Sequence, residues 1–172
     1  MKTVKIVLGI ISVFIIAFFL TGLIVPEVKY TTEIEIDKPI AEVFSDFQDV
    51  ELMKQWMPEV KSIDVLEEKP EKVGSTYKVV VENQGRMITM TEKVLAYELN
   101  KRISFHFDAE NMLKVDDYKF SSIGNKTKIV QESVCTSDSY MMSCVFPYFK
   151  NVLKTTSQQY LNKFKSVSEA TK

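Results

Sequence analysis

An almost unbroken apolar segment, Val4 to Val25, opens the chain and ends at Pro26. A helix needs about 20 apolar residues to cross a hydrocarbon core of ~30 Å. Residues 6–25 supply that length. The segment 4–25 is therefore predicted to enter a membrane as a single helix, and everything that follows it must fold beside that membrane.

The charges that flank this segment predict its orientation. Lys2 and Lys5 lie towards its N-terminal end, and an excess of positive charge stays on the cytoplasmic side. We therefore expect a retained anchor over residues 1–26 and one extracytoplasmic domain over residues 27–172. A cleaved signal peptide is the alternative, but its apolar region is usually shorter and ends at a small-x-small site. Residues 21–26, Thr-Gly-Leu-Ile-Val-Pro, make a poor site of that kind.

Composition limits what this domain can do. The length remaining after the anchor is typical of one domain with one core. The chain has 22 basic and 23 acidic residues, and because two of the lysines lie within residues 1–26, the domain carries a net charge of −3. A nucleic-acid-binding domain should show a basic excess, so we expect no nucleic-acid partner. With a single histidine and no CxxC, HExxH or Gly-rich phosphate loop, we expect no metal and no cofactor.

Two cysteines, Cys135 and Cys144, leave two possibilities open. In an exported domain they could form a disulfide that closes a short loop. They could equally be two buried thiols near a strand–helix junction, because sequence does not show whether their Cα atoms approach closely enough.

Hydrophobic periodicity divides the domain into strands and helices. Tyr30–Ile36 alternates apolar and polar residues, as a half-buried strand does. Apolar residues then recur at helical spacing over 40–47, and Asp49 is placed to cap a second short helix that stops at Pro58. From Val60 onward the period is two. The predicted strands are 60–66, 77–81, 87–97, 102–107, 112–121 and 126–135, and the short turns between them indicate an antiparallel meander.

A long amphipathic helix is predicted at the C-terminal end. Phe146, Phe149, Leu153, Tyr160 and Phe164 form one aromatic and aliphatic stripe. Proline is tolerated only near the start of a helix, so Pro147 predicts that the helix begins between residues 142 and 147.

The order of these elements resembles that of a known superfamily. Residues 35–44 resemble its first strand and Pro-initiated helix, and residues 49–60 resemble its "D…W.P.V" segment. Residues 72–75 resemble the "VG" that opens its third strand, and residues 124–127 resemble its "GT" turn. The chain is thereby similar to the START-like (SRPBCC) superfamily of polyketide cyclases, plant allergen-type carriers and lipid-transfer domains. The resemblance implies an α+β helix-grip fold, in which an antiparallel sheet wraps a long C-terminal helix and leaves a cavity between them.

The resemblance also implies which side chains face that cavity. Ligand pockets are mostly apolar with a few polar groups. The alternative for each residue is ordinary core packing. The candidate apolar lining residues are Trp56, Met57, Tyr77, Met90, Phe105, Phe107, Tyr118, Phe146, Phe149, Leu153 and Tyr160.

Two glutamates are candidates for polar groups in the cavity. Glu92 shares a strand face with Met90 and Val94, and Glu132 alternates with neighbours in the same way within residues 130–134. If these faces point inward, each carboxylate needs a partner or a raised pKa; if they point outward, both are surface groups. His106 alternates with two phenylalanines and should face away from the core. The acidic pair at 116–117 is predicted to lie in a turn or at an exposed edge.

Three functions remain open at this stage. The first is a membrane-tethered domain, monomeric, that binds a lipid or another hydrophobic small molecule. The second is a cyclase or dehydratase, which would need Glu92, Glu132 or a tyrosine to converge on one point. The third is a non-enzymatic envelope or stress-response protein with a filled core. A nucleophile–base pair is not apparent, and no catalytic residue can be assigned.

Overall fold

A computed structural model describes residues 2–171. Its elements, in chain order, are α1 (Lys2–Ile24), β1 (Val28–Ile36), α2 (Ile40–Gln48), α3 (Val50–Trp56), β2 (Val60–Glu67), β3 (Thr76–Asn83), β4 (Arg86–Glu98), β5 (Arg102–Ala109), β6 (Met112–Ile123), β7 (Lys126–Thr136) and α4 (Tyr140–Ala170).

The N-terminal helix α1 is long and apolar enough to cross a membrane, with a mean hydropathy of 2.8. A signal sequence has the same properties, so length and composition do not distinguish the two. Only Gly22 of α1 is buried. The rest of the helix therefore gains little from packing against the remainder of the chain.

The seven strands form one antiparallel sheet in the order β1-β7-β6-β5-β4-β3-β2. Strands β2 to β7 follow one another as hairpins, whereas β1 crosses back to pair with β7. The β3–β4 turn shows why the hairpins are tight, because Gln84 and Gly85 both have positive φ, 51° and 78°, as a type I′ turn requires. The predicted α+β helix-grip fold is confirmed.

Two short helices cover part of the concave face of the sheet. The side chain of Asp49 accepts hydrogen bonds from the backbone N–H groups of Glu51 and Leu52, at 2.8 and 3.1 Å. The predicted cap of α3 is therefore confirmed. It fixes a sharp turn between α2 and α3, so that both helices pack over the sheet.

The long helix α4 begins at Tyr140, before the predicted range of 142–147. Pro147 lies inside it, where it removes one helical hydrogen bond. Packing explains why the helix nevertheless starts early, because Cys144 and Phe146, both of which precede the proline, are buried against the rest of the domain. Their burial holds the first turn in helical form.

Two groups of buried side chains hold the sheet and helices together. The main core joins α2, α3 and the second half of α4 to the sheet, and Phe44 and Phe164 are at most 1% exposed there. The second core lies near the start of α4, where Phe146 packs with Val28, Tyr30 and Cys135. Both cysteines are buried free thiols.

Candidate ligand-binding site

The register of the sheet brings inward-facing side chains into rows. Tyr77 lies opposite Glu92, which lies opposite Phe107. In the next row Val94 lies opposite Phe105. Because directly paired residues of antiparallel strands share a face, aromatic and aliphatic side chains surround the carboxyl group of Glu92.

A cavity of about 190 Å³ lies between this part of the sheet and helices α2 and α3. It opens towards the β2–β3 turn, where Glu68 and Lys72 are exposed. The cavity is lined by Phe47, Gln48, Val50, Met53, Ile63, Glu68, Lys72, Tyr77, Glu92, Val94, Tyr97, Ile103 and Phe105.

Glu92 supplies a partly buried carboxyl group to this cavity. Desolvation raises its pKa from 4.5 to about 7, because it penalises the charged carboxylate. Near neutral pH the group is therefore a mixture of carboxylic acid and carboxylate. The acid form can donate a hydrogen bond to a ligand oxygen, and the carboxylate can accept one.

Lys72 spans the mouth of the cavity. Its ammonium donates a hydrogen bond to Oε1 of Gln48, at 2.9 Å, and lies 4.5 Å from the ring centroid of Tyr97. These contacts connect the β2–β3 turn to the end of α2 and to β4. They lie at the surface and are individually weak, so the mouth can open without disturbing the core.

Aromatic rings close the inner end of the cavity. Phe47 lies 4.8 Å from Tyr118, 5.6 Å from Trp56 and 5.3 Å from Phe164, measured between ring centroids. These rings fill the space between the sheet and the second half of α4. The cavity is small for that reason, since ligand pockets usually measure roughly 300–1,000 Å³.

A buried polar cluster lies deeper in the interior, on β6 and β7. Asp116 is 3% exposed; it pairs with the ammonium of Lys114 at 2.8 Å and accepts a hydrogen bond from the hydroxyl of Ser133 at 2.6 Å. Burial alone would lower the pKa of Lys114, but Asp116 outweighs it and the net shift is upward. Gln131 continues the network by donating to Ser133 and accepting from Thr32. This cluster is internally satisfied, unlike Glu92.

Within residues 2–171 no group of three or more His, Cys, Asp or Glu side chains is arranged to hold a metal ion. His106 alternates with Phe105 and Phe107 along β5 and therefore faces away from the cavity.

Residues 27–169 match the protein family described as "Polyketide cyclase / dehydrase and lipid transport". The chain belongs to this family. No curated protein sequence matches it.

Several solved protein structures share the fold of this chain at low sequence identity. The Zhui aromatase/cyclase from Streptomyces sp. R1128 has a TM-score of 0.69 at 14% identity, covering 83% of this chain and 94% of the other. The protein TTHA0849 from Thermus thermophilus has a TM-score of 0.68 at 15% identity, covering 83% and 97%. Ara h 8.0201 has a TM-score of 0.65 at 15% identity, covering 84% and 99%. At these sequence identities the structural similarity shows that the fold is shared and nothing more.

The structure divides the predicted lining residues into groups. Tyr77, Glu92 and Phe105 line the cavity. A second set lies in or against the main core, namely Trp56, Met57, Tyr118 and Tyr160. A third set is associated with the second core, namely Phe146 and Leu153. Met90 and Phe107 are partly buried on the same strand faces as Glu92 and Phe105.

Two predicted lining residues lie outside the interior. Glu132 faces outward and pairs with Lys119 at 2.7 Å, because the inward residues of β7 are the odd-numbered ones, such as Gln131. Phe149 is 50% exposed. It lies at the edge of the apolar stripe of α4, on a side of the helix that is turned away from the sheet.

The sequence analysis missed two features of the structure: the role of Lys72 at the mouth of the cavity and the burial of the Asp116 carboxyl group. It places Lys72 only in a turn, and the contacts of this residue come from segments distant in sequence. The prediction that Asp116 lies at a turn or an edge is wrong, because the residue is buried in the middle of β6. A signal for it was present: Tyr118 was predicted to face inward, and residues two apart on a strand share a face.

Proposed function

We propose that this protein is a membrane-tethered domain that binds a hydrophobic small molecule or lipid between the sheet and the helices. The observation that carries the proposal is the cavity, with largely apolar walls and one partly buried carboxyl group, Glu92, whose pKa is raised to about 7. Apolar walls with a few convergent polar groups are the usual composition of a ligand site.

The cavity size restricts how such a ligand binds. At about 190 Å³ it accommodates a small apolar group without rearrangement. A longer chain would require the end of α2 to move away from the β2–β3 turn, and the exposed contacts of Lys72 are the first that would break. Burial of the ligand would contribute about 25 cal/mol per Å² of apolar surface, and protonated Glu92 would select a ligand with a carbonyl or hydroxyl oxygen.

The anchor fits this function. A retained α1 would hold the cavity beside a reservoir of apolar molecules and raise their effective concentration. The protein would then exchange ligand with the bilayer rather than capture it from water.

The test is to purify the full chain in mild detergent and to measure bound molecules by native mass spectrometry and solvent extraction. We expect an adduct that is lost on denaturation. Met53→Trp, which reduces the cavity, should lower its occupancy, whereas Met87→Trp, on an exposed part of β4, should not. A ligand-free mass together with no thermal shift across a lipid panel would refute the proposal.

Glu92 also favours a second candidate, a cyclase or dehydratase. A carboxyl group with a pKa near the working pH is suited to general acid–base catalysis, which contributes roughly 10²–10⁴-fold. Glu92→Gln should then reduce turnover of a poly-β-ketone substrate by roughly 10²–10⁴-fold and leave its binding in place. If binding persists and neither form turns over the substrate, the enzyme hypothesis is wrong and the binding function stands.

A further inference from the structure

The end of α1 is attached to the beginning of α4. The hydroxyl of Tyr140 donates a hydrogen bond to the carbonyl of Phe19 at 2.6 Å, and the hydroxyls of Thr21 and Tyr148 lie 3.1 Å apart. Gly22 packs so closely that an added Cβ would lie 2.6 Å from Sγ of Cys144. The first turns of α4 are therefore fixed beside the point where the apolar helix ends.

An exposed apolar surface continues from this contact around α4. Met141 is 52% exposed, Tyr148 62%, Phe149 50% and Val152 57%. We call these four residues the interface patch. Their spacing places them on one helix face, and that face adjoins the one that contacts α1. A single exposed hydrophobic residue is ordinary, but a contiguous group marks an interaction surface.

Within α4, the charged side chains on the same turns as the patch are all basic, although at about 100° per residue they lie on the opposite side of the helix from it. Helix α4 has no acidic residue before Glu169, whereas Lys150 and Lys154 are exposed on the same turns as the patch. A lysine can extend its long stem along an apolar surface and place its ammonium among headgroups. Lysines near a membrane surface are attracted to anionic headgroups. Tyrosine, with an apolar ring and a polar hydroxyl, is enriched at that depth.

We infer that the interface patch rests in the surface of the bilayer that α1 enters, with anionic lipid headgroups around Lys150 and Lys154. This inference depends on the membrane tether of the proposed function. The geometric reason is distance: Tyr148 is hydrogen-bonded to Thr21, which is only three residues, about 5 Å at 1.5 Å per residue, before the end of α1. A membrane that contains α1 therefore meets the patch. The domain would be held in one orientation rather than swing freely on its linker.

The test uses the full chain in lipid nanodiscs, with tryptophan fluorescence quenched by brominated phospholipids. The chain has one tryptophan, Trp56, which is 2% exposed in the main core and reports the background. Phe149→Trp places a second fluorophore in the patch. Gln159→Trp is the matched control, because it is exposed on the helix face of Met141 but lies about 15 Å beyond residue 149 along the helix.

We expect brominated lipid to reduce the added fluorescence of Phe149→Trp at least roughly twofold and to leave that of Gln159→Trp nearly unchanged, as for an interfacial aromatic residue. Replacing Lys150 and Lys154 by glutamine should reduce the quenching in discs that contain phosphatidylglycerol. Both results would support the inference.

Equal quenching of the two variants, or none in either while the intact chain remains in the disc, would overturn the inference and leave the tether standing. A dimer in the disc without quenching would also overturn it, because a second copy would then cover the patch. A disc-free protein whose mass lacks α1 would refute the tether itself, and the inference with it.

Discussion

The pKa of Glu92 makes a quantitative prediction about stability. Burial raises it from 4.5 to about 7, so between these two values the folded protein retains a proton that the unfolded chain has released. Stability that is fully present below pH 4.5 is therefore lost as the pH rises through 7. Glu92→Gln replaces the group with a neutral side chain of the same shape and removes this dependence.

The size of the effect follows from the shift. A difference of about 2.5 pKa units corresponds to about 3 kcal/mol at 1.36 kcal/mol per unit. At about pH 5 most of this stabilisation of the folded state remains, and at about pH 8 nearly all of it has been lost. The unfolding free energy of Glu92→Gln minus that of the wild type should therefore increase by about 2–3 kcal/mol from pH 5 to pH 8.

The assay is urea unfolding of the full chain in mild detergent, followed by the fluorescence of Trp56, which lies in the main core against Phe47 and Phe164. Glu132→Gln is the matched control, a strand glutamate on the outer face paired with Lys119, and its difference from the wild type should stay within about 0.5 kcal/mol at both pH values. If the difference in unfolding free energy between Glu92→Gln and the wild type is also independent of pH, the carboxyl group is not desolvated. The reasoning about the cavity then fails.

Three further predictions test the packing of the aromatic core, of the buried ion pair and of α1 against α4. Phe164→Ala, at a position 0% exposed, should cost about 3–5 kcal/mol of unfolding free energy; a loss below about 1 kcal/mol would mean that the aromatic interior is not packed as described. Lys114→Met should cost about 3–5 kcal/mol because it leaves the Asp116 carboxylate buried without its cation, and the double variant with Asp116→Leu should recover much of the loss in a thermodynamic cycle. Gly22→Val should increase hydrogen exchange in the first turns of α4, since its Cβ would collide with Cys144, and unchanged exchange would show that α1 does not dock there.

The strands and the hairpin order of β2 to β7 were predictable, because period-two alternation and short turns are local signals, whereas the pairing of β1 with β7 is not local. Predicting which face of each strand points inward required one further step, the register of the hairpins. The loop between β6 and β7 was predicted as residues 122–125, but Ile123 pairs with Lys126, so only two residues separate the strands. Either loop length pairs Tyr118 with an odd-numbered residue of β7, which in the structure is Gln131. The predictions that Tyr118 and Glu132 both face inward were therefore incompatible, and the hairpin register alone could have placed Glu132 on the outer face.

The family resemblance implied a cavity, but its size and its mouth were not predictable from the sequence. Its mouth depends on Lys72 meeting Gln48 and Tyr97, from a turn, a helix and a strand. Periodicity gives the face of each element but not the distance between elements, and that distance decides whether side chains fill the interior. The aromatic stripe of α4 illustrates the same limit: Phe164 is fully buried and Phe149 is half exposed.

The interior contains two kinds of ionisable group, and the contrast between them bears on function. Lys114 and Asp116 neutralise each other and Ser133 completes the shell, so the pair can be explained by folding alone. Glu92 has no ion pair among residues 2–171, and the upward shift of its pKa corresponds to about 3 kcal/mol above pH 7 in a fold whose total stability is typically about 5–15 kcal/mol. A glutamine or a methionine would fill the same position at lower cost. A carboxyl group that weakens the fold, faces a cavity and titrates near neutral pH has the properties typical of a functional site.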